Sequence, residues 1–75
     1  MPLQQFTALI EREGDGYVVL CPELDIASQG DTVESARNNL TEAVELFFEC
    51  ADPSEIQQRL HHNEMFITRL EVAVG

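Results

Sequence analysis

The chain has 75 residues, room for one domain, and its 44% hydrophobic content is that of a folded globular protein rather than a disordered one. Fourteen Asp and Glu stand against four cations, all arginine, for a formal net charge of −10. Such a surface repels nucleic-acid phosphates and anionic lipid headgroups and complements a basic protein.

Residues 5–12, "QFTALIER", alternate Phe6, Ala8 and Ile10 against Thr7, Leu9 and Glu11, the two-residue period of a strand with one buried face. Gly14 and Gly16 frame a short loop that accepts positive φ, and the β-rich "YVVLC" of residues 17–21 follows, so the two runs read as a hairpin. Pro22 cannot donate to a ladder and ends the second strand. Residues 26–29, "IASQ", form a short third strand, and Gly30 permits the turn into a helix. Two residues compete for the cap. Asp31 has Glu34 three residues on, whereas Thr32 has only Ser35 there.

The helix is expected from about residue 32 to residue 50. Its apolar stripe is Val33, Ala36, Leu40, Ala43, Val44 and Phe47, and Glu34, Asn38, Glu42, Glu45 and Glu49 lie opposite. Asp52 with Pro53 opens a second, short helix to about Leu60, and "HHNE" at residues 61–64 reads as a loop. Residues 65–74, "MFITRLEVAV", alternate Phe66, Thr68, Leu70 and Val72 against Met65, Ile67, Arg69 and Glu71, a closing strand. The expectation is one α+β domain over residues 1–75, in the order β-β-β-α-(short α)-β, with a largely antiparallel sheet and the helix packed on one face. A core this small is often completed by a second copy of the chain, and edge pairing or exchange of the last strand into a dimer or higher homo-oligomer is expected.

Chemistry is hard to place on this sequence. Glu23, Asp25 and Asp31 crowd the stretch "PELDIASQGDT", but Asp31 has a structural task at a helix start and the other two sit on an inter-strand loop. His61 and His62 are adjacent and lack metal-ligand spacing. Cys21 and Cys50 form no C-x-x-C pair and are expected to be buried free thiols in a reducing cytosol. There is no nucleophile-elbow, phosphate-loop or dinucleotide motif. The expectation is a protein without catalytic residues, metal or cofactor. "MPLQQF" has no basic leader region and no apolar run is long enough to span a bilayer, so a cytoplasmic location is expected.

The segments "FTALIEREGDGYVVLCPEL" and "SQGDTVESARNNLTEAVELFFE" resemble the HicB family of antitoxins of type II toxin–antitoxin systems, over about residues 6–49. The features that carry it are the glycine-bearing hairpin turn, Tyr17, Pro22-Glu23-Leu24, and Gly30-Asp31-Thr32 opening an Ala- and Glu-rich helix; "FITRLEVAVG" is similar to the closing strand of short members. Many members read Pro-(Asp/Glu)-Leu-Pro-Gly-Cys before the turn, where this chain has Asp25-Ile26-Ala27 and a loop one residue shorter. The resemblance implies a partial RNase H-like fold and a role in neutralising a small basic HicA-type mRNA-cleaving toxin. Partner contacts are then expected at Tyr17, Glu23, Leu24, Asp25, Gln29, Glu42 and Glu45, with Gly14, Gly16, Pro22, Gly30, Asp31 and Thr32 shaping turns and cap. Many relatives add a C-terminal DNA-binding domain; none is read here, and direct nucleic-acid or membrane contact is not expected. The alternative is an orphan regulatory or scaffold homo-oligomer with a non-toxin partner, and a metal-dependent hydrolase stands further off.

Overall fold

The computed structural model describes residues 4–62 and 65–75 of the chain. Strands β1 (Leu9–Glu13), β2 (Gly16–Cys21) and β3 (Ile26–Gly30) are followed by helices α1 (Val33–Cys50) and α2 (Pro53–His62). The sheet is antiparallel in the order β1-β2-β3, an α+β arrangement with α1 laid on one face.

The first turn joins Glu13 to Gly16 through Gly14 and Asp15. Gly14 has φ +60 and Asp15 is not left-handed, the sign pattern of a type II′ turn, whose twist matches the flanking strands. The ladder begins at Leu9↔Leu20, later than the residue-5 start expected from the alternation. Continued by two residues, it would set Thr7 against Pro22, which has no N–H to give. Thr7 instead donates its N–H to the Glu23 carboxylate. The second loop, residues 22–25, returns the chain from Cys21 to Ile26 with Asp25 at φ 55, a left-handed conformation that Asp tolerates better than most side chains.

Thr32 caps α1. Its Oγ1 accepts from the Ser35 N–H at 3.0 Å, while Ser35 Oγ accepts from the Thr32 N–H at 3.0 Å. Serine closes this reciprocal box in the position usually held by Glu or Gln, which leaves Asp31 outside it. At α2 Asp52 caps as its sequence context predicts. Its Oδ1 accepts from the Glu55 N–H at 2.8 Å and from Ser54 Oγ at 2.7 Å, and the Ser54 hydroxyl leads in holding the carboxyl below its ordinary range.

Paired residues on neighbouring strands point to one face. Ile10, Val19 and Ser28 form a row under α1, with Cys21 and Ile26 beside them. The core is Val19, Cys21, Leu24, Ala36 and Leu40, supported by half-buried Phe6, Val44, Phe47 and Phe48. Each large aliphatic side chain fully withdrawn from water here contributes about 1.5–3 kcal/mol. Val33, expected in the stripe, is exposed as the first residue of α1; Phe48, not in the stripe, packs at 5.8 Å from the Phe6 ring. Cys21 is buried but Cys50 is exposed at the C-terminal end of α1, away from the packed stripe, a correction to the expected pair of buried thiols.

Helix α2 runs through His61 and His62, which were expected in a loop; Asn63 and Glu64 of that loop lie outside the described residues. The helix is fastened by Arg59. Its guanidinium donates to the Leu24 carbonyl, lies 5.2 Å from the Phe47 ring centroid, and pairs with Glu55 at 3.7 Å. Arg59→Ala should therefore cost about 1–2 kcal/mol in urea denaturation, mostly from the carbonyl bond and ring contact, since a half-exposed ion pair adds little. Arg59→Lys should recover less than half of that loss, because the ammonium lacks the planar fork. Full recovery by Lys would show that charge alone matters.

The closing strand is the main departure from the expected order. Residues 65–75 form no strand and are exposed throughout. The alternation is present, but a strand exists only through a partner's hydrogen bonds, and no edge of this sheet supplies them to the segment within one chain.

Candidate partner-binding surface

The strand directions divide the expected contact residues among three places. Near the β1–β2 turn and the start of α1, Tyr17 and Gln29 line an open hollow of about 780 Å3 together with Glu13, Asp31 and Asn39. Tyr17 is half-buried and paired with Gly30, and Asn39 Nδ2 donates to the Gln29 carbonyl at 2.7 Å, tying α1 to the sheet at its rim. Gly16 and Gly30, both in the lining of the hollow, bring their backbones together: a Cβ on Gly16 would sit 3.0 Å from the Gly30 carbonyl oxygen. Its two carboxylates, Glu13 and Asp31, are exposed and share the lining with no basic residue.

At the opposite end of the sheet the 22–25 loop behaves differently. Leu24 is fully buried in the core with Val19, Cys21, Ala36 and Leu40 and offers no surface to a partner, a correction to its expected role. Glu23 is half-buried and turned onto its own domain. Its carboxylate accepts from Thr7 Oγ1 at 2.6 Å and from the Thr7 N–H at 3.0 and 3.1 Å. The Cys21 Sγ lies 3.5 Å from Glu23 Oε1. Burial pushes the Glu23 carboxyl up, but the Thr7 hydroxyl, two backbone N–H groups and the Cys21 thiol outweigh it, and its pKa lies below the ordinary 4.5. Asp25 alone in this loop presents an exposed carboxylate.

Because the folded Glu23 is the stronger acid, the unfolded chain binds more protons in acid. The stability lent by Glu23 is thus complete above about pH 4.5 and is lost as pH falls through its lower folded value. Thr7→Val should cost about 1–2 kcal/mol at neutral pH by urea titration and flatten the acid limb of stability against pH. An unchanged acid limb would mean that other carboxylates set it.

Glu42 and Glu45 stand exposed on the solvent side of α1, with Glu34 and Glu49 along the same helix. They meet neither the hollow nor the loop, so the expected contacts do not form one surface. The sequence reading missed Glu13, Asn39, Thr7 and Arg59; only Asn39, at a helix position three after Ala36, carried a pattern that could have placed it beside the sheet. Among the described residues no group of three or more His, Cys, Asp or Glu is placed to hold a metal ion, and no helix is long and apolar enough to cross a membrane.

No family model matches the chain, and no solved structure does. The chain is similar to the UPF0150 protein ssr1765 of Synechocystis sp., 49% identical over 49 residues, which are 63% of this chain and 62% of that protein. The match thus spans less than two thirds of the relative's length.

Proposed function

We propose that the chain is a non-catalytic binding module of the antitoxin kind, resembling HicB, whose partner is a small basic HicA-type mRNA-cleaving toxin. The acidic domain covers the toxin's RNA-binding surface and active site, so that substrate cannot enter. The observation that carries this reading is the solvent side of α1, where Glu42, Glu45 and Glu49 are exposed and the last turn holds no basic residue. Like charges three and four apart cost a few tenths of a kcal/mol per pair, and a carboxylate near a helix C-terminus opposes the dipole. Local stability does not explain such a face, and docking of a basic surface does. Asp25, Asp31 and Glu13 add exposed carboxylates at the two ends of the sheet.

The test is an affinity capture from host lysate with the tagged chain, eluted by rising salt and identified by mass spectrometry. The expected result is a stoichiometric small basic protein released by moderate salt, with RNase activity that the chain suppresses. Glu42→Lys with Glu45→Lys should weaken that complex at least tenfold and leave the domain's own stability within about 0.5 kcal/mol, since both sites are exposed. Capture of a non-toxin partner, or an affinity indifferent to the double reversal, would move the regulatory-module reading ahead.

A further inference from the structure

Among the described residues, six of the ten exposed large apolar side chains lie in residues 65–75. Phe66 is 83% exposed, Leu70 84% and Val74 90%, all on one side of the two-residue alternation. Exposed apolar area on this scale marks an interaction site. The segment also stretches the molecule: the radius of gyration is 14.6 Å and the long dimension 50 Å, against roughly 11 Å for the radius of a compact chain of this length.

The sheet has two edges, and they are not equivalent. Helix α1 leans over β3 and β2 and barely touches β1. On β3 the Gln29 carbonyl is already taken by Asn39. On β1 the Thr7 N–H faces inward to Glu23, and no strand among the described residues pairs with the outer edge. The nine residues 66–74 match in length β1 with the residues that lead into it.

We propose that residues 66–74 of one copy pair with the β1 edge of a second copy, and reciprocally, so that the chain forms a strand-exchanged dimer. The exchange is isologous, so it closes at two chains: each copy gives one strand and receives one. Charge favours the antiparallel direction. With Arg69 opposite Glu11, Leu70 falls beside Ile10 on the face that α1 covers and Glu71 falls beside Leu9; a parallel strand would set Glu71 near Glu13. The dimer joins two chains of net charge −10, so salt strengthens it, whereas salt weakens a complex with a basic partner. This opposite dependence separates the dimer from the toxin complex: either can fail without the other.

The experiment is light-scattering mass of the full chain across salt concentrations, with amide hydrogen exchange, on wild type and Leu70→Glu. Leu70 is exposed and outside the core, so the variant keeps the three-stranded domain, and retained helix signal and melting of that domain check this. The expected result is a dimer that tightens with salt, protection on residues 66–74 and β1, and at least a hundredfold weaker association in Leu70→Glu with loss of both protections. A monomeric wild type, including one whose segment folds back on its own sheet, overturns the proposal. So does a dimer indifferent to Leu70→Glu, or protection that appears on β3 in place of β1.

Discussion

Leu24→Ala is expected to remove about 3–4 kcal/mol of stability, the upper part of the range for truncating a buried leucine. The side chain is fully buried under the helices, in a loop whose backbone is fixed at both ends by the Cys21↔Ile26 pair and the Arg59 bond to the Leu24 carbonyl. Such a loop cannot collapse to fill the space, so the cavity persists. A chain of this length has roughly 4–11 kcal/mol in all, so the variant should be largely unfolded by modest urea or mild heating. A urea midpoint unchanged to within about 1 kcal/mol would mean that Leu24 is not the keystone between sheet and helices.

Gly30→Ala comes next, at about 2–3 kcal/mol, and for a different reason. The position is not left-handed; what forbids a side chain is space. A Cβ there would overlap the backbone nitrogen of Ala36 and the Ser35 hydroxyl oxygen, both fixed in the first turn of α1 by the Thr32 cap. Backbone cannot step aside as a flexible side chain would, so the helix must lift from β3. Gly14 supplies the contrast: it is left-handed but faces open space, and Gly14→Ala should cost only about 1 kcal/mol. Comparable losses at both glycines in denaturation would contradict this separation of crowding from conformation.

What could be read in the sequence was local. Gly14 with Gly16 announced the hairpin, the 3.6-residue stripe announced α1, and Asp52-Pro53 announced α2, because each needs only neighbours in the chain. Between Asp31 and Thr32 the spacing rule was indecisive; the serine hydroxyl of Ser35 decided it, a substitution for Glu that the usual signature does not include. The fastenings between distant elements were not legible. Glu23 to Thr7 spans 16 positions and Arg59 to Leu24 spans 35, and neither carboxylate nor guanidinium announces its partner. The closing strand shows the limit most sharply: alternation states that a segment is able to pair, but pairing requires an edge, and the edge belongs to another element.

The two cysteines give the molecule an internal stopwatch. Cys50 is open to solvent, while Cys21 is buried and its thiol is pushed toward higher pKa by desolvation, with the Glu23 charge adding to it. A thiol reagent should modify Cys50 at the rate of an ordinary exposed cysteine and reach Cys21 only in molecules whose sheet and helix have come apart. The ratio of the two labelling rates then reports the opening equilibrium, about one decade per 1.4 kcal/mol, within a single chain and without denaturant. Leu24→Ala, Gly30→Ala, Thr7→Val and Arg59→Ala all act on that equilibrium, so each would show itself as a change in how long Cys21 stays unmodified.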